Sequence, residues 1–182
     1  MKRRLFGYET EQGLFVVSKS GIKYPPNVIA EDLFREIAMM GIGHTDSPKN
    51  NNLFVENAAR LYIDTGFHPE TSTAESDEID EAILNDLANE RITLEAARRA
   101  RATRLRMHGD DAKYYVIKNN VDNSGNSYGG HENFLVSRDV SLEILTDVLL
   151  PFFVSRQVMA GAGHFAPAVK GGWDYRISQR AA

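Results

Sequence analysis

Between Ala59 and Glu70 the chain reads Ala-Arg-Leu-Tyr-Ile-Asp-Thr-Gly-Phe-His-Pro-Glu, and later it presents Lys118-Asn119-Asn120 and Ser127-Tyr128-Gly129-Gly130-His131-Glu132-Asn133. In a strand, alternate side chains leave from the same face, so Arg60, Tyr62 and Asp64 would form one row while Leu61 and Ile63 turn toward a core. A cation, a phenol and a carboxylate in one row are costly to assemble without a ligand that uses them. ATP and a metal ion suit that set. Beside a cation Asp64 would stay ionised and could accept a proton from an attacking amine. A structural Arg60–Asp64 pair is the competing reading.

Other segments could complete such a site. Glu9-Thr10-Glu11 on a strand would put two carboxylates on one side, as a divalent cation held by oxygen ligands requires, although a solvated strand face has the same spacing. Glu70, after His68-Pro69, could add a carboxylate or be an ordinary loop residue. His131 and Asn133 would point together, toward a metal or a phosphate, or be hydrogen-bonded surface residues. Asn119-Asn120 and Asn123-Ser124-Gly125-Asn126 could supply amide and backbone donors to phosphates, yet no Gly-Lys-Ser/Thr follows as in a Walker loop. The arginines from Arg98 to Arg106 could dock an acidic partner or form a solvated helix face. His44 and His164 have no sequence neighbours that raise them above surface residues.

Composition narrows the chemistry. With 182 residues and 42% hydrophobic content the chain can build one ordinary globular domain. It contains no cysteine, so disulfides, thiolate metal sites and thiol nucleophiles are excluded, and a hard metal bound by oxygen and imidazole remains. The formal charge of −4 gives no reason to expect a nucleic-acid partner. The polar N-terminal region and the absence of a membrane-length apolar run lead us to expect a cytoplasmic protein with no membrane association.

The elements that must position these residues are legible as patterns. Strands are expected over Arg4 to Glu11, with Gly13 to Val17 continuing it or pairing back, over Leu53 to Glu56 and Arg60 to Asp64 around a turn at Asn57, and over Tyr114 to Lys118. His131 to Ser137 is expected to return antiparallel to the Tyr114 strand as a hairpin across the polar 119–130 loop. Residues 173 to 179 suggest a last strand. The spacing of Ile29, Leu33, Ile37 and Met40 predicts a helix over Asn27 to Met40, followed by a polar loop from Gly41 to Asn52. A long helix capped by Ser76 or Asp77 carries acidic residues first and arginines last. Ser141 to about Met159 reads as an apolar helix that Pro151 should kink or divide. Together these predict an α+β fold, an antiparallel sheet of the Arg4, Arg60, Tyr114, His131 and Trp173 segments with helices on one face.

These motifs closely resemble the family of the Pup ligase and the Pup deamidase/depupylase, built on the glutamine-synthetase-like carboxylate-amine ligase fold. The likeness runs from Arg3-Arg4-Leu5-Phe6-Gly7-Tyr8-Glu9-Thr10-Glu11 through Ala59 to Glu70, Lys118 to Asp122, Asn126 to Asn133 and Pro151 to Gln157, and on to Ile177-Ser178-Gln179-Arg180-Ala181. It implies that Glu9, Tyr62 and Glu70 hold magnesium, that Arg60 and Thr73 contact ATP, and that Asp64 is the catalytic base. Glu11 and His131 would be further metal ligands.

The implied reaction joins the C-terminal glutamate side chain of a small ubiquitin-like modifier of the Pup type to lysines of target proteins, through a γ-glutamyl phosphate, marking them for a proteasome. Glu9-Thr10-Glu11, Asn126-Ser127-Tyr128-Gly129, the terminal Ser178-Gln179-Arg180-Ala181 and the short loop from Gly41 to Asn52 favour the ligase branch, whereas Val121 favours the deamidase. Thr71-Ser72 stands where Tyr-Ala is usual, Ser76 where Cys is usual, and Ala58 where glycine is common. Family members are much longer, so residues 1–182 are expected to form the N-terminal part of the catalytic domain without its C-terminal remainder. A truncated remnant that binds a partner without catalysis is the third reading.

Overall fold

Leu53, Val55, Leu61 and Ile63 alternate with Asn52, Phe54, Arg60 and Tyr62 along two short strands, and in the computed structural model that alternation turns one side of a sheet toward the core. The structure describes residues 4–46, 49, 51–122 and 125–179. Arg3, Ser47-Pro48, Asn123-Ser124 and Arg180-Ala181, each part of a segment invoked above, lie outside the described residues.

The chain divides into two units. The first runs to Lys118 and takes in Tyr128–Leu135, and the second holds Asn119–Ser127 and the chain from Val136 onward.

In the first unit, β1 (Phe6–Glu11), β3 (Gly43–Thr45), β4 (Asn52–Val55), β5 (Arg60–Ile63), β6 (Pro69–Ser72) and β8 (Gly130–Phe134) form an antiparallel sheet in the order β3-β4-β5-β6-β1-β8. A separate ribbon pairs β2 (Gly13–Ser18) with β7 (Ala112–Ile117). Two helices, α1 (Pro26–Met39) and α2 (Ile79–His108), complete the unit. Ile29, Leu33, Phe34 and Ile37 of α1 share one core with Leu53 and Leu61 of the sheet and with Ala96, Ala97 and Ala100 of α2. The small α2 residues let the helices approach closely. The second unit contains α3 (Leu142–Ala160) and a hairpin of β9 (His164–Pro167) and β10 (Trp173–Arg176).

The expected α+β architecture, an antiparallel sheet with helices on one face, is therefore present, with corrections to its membership. The Tyr114 segment pairs with β2, and the Trp173 segment pairs with β9, so neither belongs to the sheet of β1 and β5. The hairpin between the Tyr114 and His131 strands does not form, because β8 adds to β1 instead. Tyr114 faces the core, where its hydroxyl donates to Asp32 and accepts from Arg104, which also pairs with Asp32. That buried network holds β7 against α1 and α2.

Two strands occupy stretches read as loop. β3 lies within the Gly41–Asn52 segment and β6 contains Glu70. The N-cap of α2 is Glu78, without a side-chain cap. The Ser76 hydroxyl instead accepts from the Glu78 backbone N–H at 3.2 Å and donates to the Glu81 carboxylate at 2.6 Å. Pro151 sits inside α3 without dividing it, and Ser141 caps that helix by accepting from the Ile144 N–H. Among the described residues no helix is long and apolar enough to cross a membrane.

Candidate metal and nucleotide site

Register decides which side chains meet. Glu9 is opposed to Ser72 on one side and His131 on the other, and Ser72 is opposed to Arg60. One step along, Glu11 is opposed to Glu70, and Glu70 to Tyr62. Directly opposed residues share a face, so His131, Glu9, Ser72 and Arg60 make one row and Glu11, Glu70 and Tyr62 the next. Leu61, Ile63 and Thr71 take the alternate positions, with Leu61 and Thr71 fully buried. The face away from this core therefore collects the polar residues.

At its centre, one ligand atom from each of Glu9, Glu70 and His131 lies within 4.8 Å of the other two. His131 Nδ1 is 3.0 Å from Glu9 Oε2 and 3.7 Å from Glu70 Oε1. The Glu70 side chain is only 5% exposed. Burial pushes its carboxyl above the usual range and the charges of Asp64 and Glu9 push the same way, opposed by the neighbouring Tyr62 hydroxyl and by His131. A buried carboxylate crowded by two others fits a cation. The donor set of oxygen and imidazole fits a hard or borderline divalent ion.

Tyr62 is pushed up to about 12, chiefly by desolvation, with Ser72 and Glu70 close enough to its hydroxyl to act on it as well. It therefore meets the site as a neutral phenol. Its ring carries the Arg60 guanidinium, whose Cζ is 4.1 Å from the ring centroid, a cation–π contact. Arg60 Nε donates to Asn52 Oδ1 at 2.6 Å, which orients the fork and leaves its terminal nitrogens without a partner among the described residues. No Arg60–Asp64 ion pair forms among these residues. Asp64 stands just past the end of β5, exposed, on the face of Tyr62 and near enough to Glu70 to raise its affinity for a proton.

Thr73 extends β6, exchanging backbone contact with Tyr8 and accepting from the Tyr8 N–H through Oγ1 at 3.0 Å. It borders a cleft of about 520 Å³ that Gly7, Glu9, Ser72 and Asn133 also line. A space of that size beside the group of Glu9, Glu70 and His131 is within the range of small-molecule sites. Glu11 lies on the same face, but Oε1 is taken by His68 and Oε2 by the Gly129 N–H, both at 2.5 Å. It stands outside the group of Glu9, Glu70 and His131.

Ser72, Asn52 and His68 join this face without having been singled out by spacing. Ser72 was recoverable as the residue two beyond Glu70 on a strand, had β6 been recognised. The other candidates are placed elsewhere in the economy of the fold. Asn120 donates to the carbonyls of Ala162 and Gly163 within the second unit, Asn126 binds Asp122, and Lys118 pairs with Asp86 and Glu90. Arg98 and Arg99 pair with Glu95, Arg101 with Asp111 and Arg104 with Asp32, so the arginine helix is largely satisfied internally.

A family model described as Pup-ligase protein matches residues 4–182. Over 181 residues the chain is 42% identical to the Pup-protein ligase of Geodermatophilus obscurus, a match covering 100% of this chain and 38% of that protein. It is 41% identical to the Pup-protein ligase of a Nocardioides species over the same shares. Among solved structures it is similar to the ligase PafA in complex with the prokaryotic ubiquitin-like protein Pup, with a TM-score of 0.83 and 38% identity over 98% of this chain and 35% of that one. A structure of PafA in complex with ADP gives a TM-score of 0.63 and 36% identity over 87% of this chain and 33% of that one. The chain thus spans 38% of the length of these two curated relatives.

Proposed function

This chain belongs to the Pup-ligase family, and from that premise we propose that it supplies the metal and nucleotide half of an ATP-dependent isopeptide ligase. The reaction joins the C-terminal glutamate side chain of a Pup-type modifier to substrate lysines, for delivery to a proteasome, in a cytoplasmic setting. The observation that carries this reading is the convergence of Glu9, Glu70 and His131 on one sheet face with Arg60, Tyr62 and Asp64.

Bound magnesium would neutralise phosphate charge and template its transfer. Glu9, Tyr62 and Glu70 would hold it, with His131 as a further donor. The terminal nitrogens of Arg60, without a partner among the described residues, would meet phosphate oxygens, and Thr73 borders the cleft in which the nucleotide would lie. The modifier carboxylate attacks the γ-phosphorus of ATP and ADP leaves. A lysine amine then attacks the acyl phosphate, inorganic phosphate departs, and Asp64, exposed and without an ion-pair partner among the described residues, takes the amine proton.

The share of the relatives that the chain spans gives the alternatives their weight. They are the reverse activity, deamidation or removal of the modifier, and a partner-binding remnant without catalysis. A chimaera in which residues 1–182 replace the matching segment of the Geodermatophilus obscurus ligase separates the three. Incubated with modifier, ATP and a lysine substrate, it should form conjugate. Cleavage of a preformed conjugate without ligation would favour the hydrolase, and modifier binding without nucleotide affinity the remnant.

A further inference from the structure

The turn that carries Asp64 is tied across the sheet by one side chain. Asp64 N–H donates to the His68 carbonyl at 2.9 Å and Phe67 N–H to the Asp64 carbonyl at 3.0 Å, so the backbone around Asp64 closes on residues 67 and 68. Gly66 takes φ 84° at no steric cost, but Phe67 sits at φ 66°, a left-handed conformation that a residue with a side chain holds only with support from its surroundings. A Cβ at Gly66 would lie 3.3 Å from the His68 ring, so glycine there lets the ring fold back over its own turn.

His68 then reaches Glu11. A carboxylate only accepts, so Nδ1 is the donor, at 2.5 Å from Oε1, in a setting where both side chains are largely buried. The other oxygen, Oε2, accepts from the Gly129 N–H at 2.5 Å, and the His68 ring packs on Tyr128 with centroids 4.5 Å apart. Gly129 lies two residues before His131 on the same segment, with no room for a side chain between them. A Cβ there would come within 3.1 Å of His131 Nε2 and 3.3 Å of Glu11 Oε2. One short chain of contacts therefore runs from the Asp64 turn through His68 and Glu11 to the segment that presents His131.

We propose that His68 is a positioning residue which, through Glu11, locks the Asp64 turn and the Gly129 segment into one body, so that the base and the His131 donor keep a fixed separation. The link itself stands on the contacts above, and its catalytic meaning rests on the ligase reading.

The first measurement is amide hydrogen exchange, followed residue by residue by NMR on the 182-residue chain. His68→Phe keeps a ring against Gly66 and Tyr128 but removes the donor. Exchange at both Asp64 and Gly129 should accelerate at least tenfold, with Leu61 in the strand core unchanged. Unchanged exchange at Gly129 overturns the link. Should His68→Phe fail to fold, His68→Asn, whose side-chain amide can stand in for Nδ1, decides the matter: protection at both amides as in the parent chain supports the link, and rapid exchange at either overturns it.

The second measurement uses the chimaera. His68→Phe should lower kcat for conjugation at least tenfold while the KM for ATP stays within about twofold, and His68→Asn should recover most of the rate. A loss shared equally between kcat and KM, or no rescue, overturns the positioning role. If the unsubstituted chimaera forms no conjugate, the ligase reading fails alone and the exchange data still judge the link.

Discussion

Tyr62 and Glu70 oppose each other across β5 and β6, and the phenol stands beside a carboxyl that burial drives toward its protonated form. The folded state therefore binds a proton at Glu70 more tightly than the unfolded chain does. By linkage, the metal-free chain loses stability as pH rises from the ordinary carboxylate range through the raised value at Glu70. A divalent cation competes with that proton, so its affinity climbs over the same window. Thermal melts between about pH 4 and about pH 7, with and without magnesium or manganese, should show the metal-induced increase in Tm growing with pH.

Glu70→Gln removes the charge while keeping the shape. At neutral pH the substituted chain should be more stable without metal than the parent, on the order of 1 kcal/mol, because a site that crowds carboxylates trades stability for binding. The stabilisation by metal should vanish. Calorimetric titration with manganese checks the second half, and unchanged affinity would remove Glu70 from the ligand set.

Asp64→Asn tests the base. The side chain is exposed and has no partner among the described residues, so stability should stay within about 0.5 kcal/mol of the parent. In the chimaera, ATP affinity should persist while conjugation falls by about a hundredfold to ten-thousandfold, the usual size of a general-base contribution. Conjugation at the parent rate would assign the proton transfer elsewhere.

The row Arg60, Tyr62, Asp64 was legible in the sequence because alternation within a strand is local, as was the face shared by Glu9 and Glu11. What joins the two rows is β6, and its residues Pro-Glu-Thr-Ser carry no apolar alternation and open on a proline, so Glu70 looked like a loop residue. Likewise β8 contains Gly-His-Glu-Asn-Phe, exposed throughout, and nothing in that run states whether it pairs with β1 or with β7. Pairing partners are set by long-range register, which a single sequence encodes only through the whole core. The two-sided commitment of Glu11 to His68 and Gly129 was invisible for the same reason.

Asp32→Asn tests the buried network of α1, α2 and β7. Arg104 contacts Asp32 and Tyr114, and its guanidinium lies 3.9 Å from the Tyr24 ring centroid. Removing the carboxylate that pairs with a buried guanidinium typically costs about 3–5 kcal/mol. Urea denaturation should report a loss of that order, and Asp32→Asn with Arg104→Met together should recover part of it, since the orphaned charge is then gone too.

Ala58 offers the reverse outcome. Its φ of 67° is left-handed, and the turn between β4 and β5 holds it there through Ala58 N–H to the Val55 carbonyl and Ala59 N–H to Asn57 Oδ1. An L-residue in that conformation costs roughly 1–2 kcal/mol, which glycine avoids. Glycine also gives the unfolded chain more freedom, a loss of roughly 0.4–1 kcal/mol. The strain exceeds the entropy, so Ala58→Gly should stabilise the chain by about 0.5–1 kcal/mol. The gain should appear in the denaturation midpoint with an unchanged m-value. Because β4 and β5 carry Asn52 and Arg60, the substitution should leave the Arg60 orientation intact, and a shifted ATP affinity in the chimaera would mean that the turn sets more than stability.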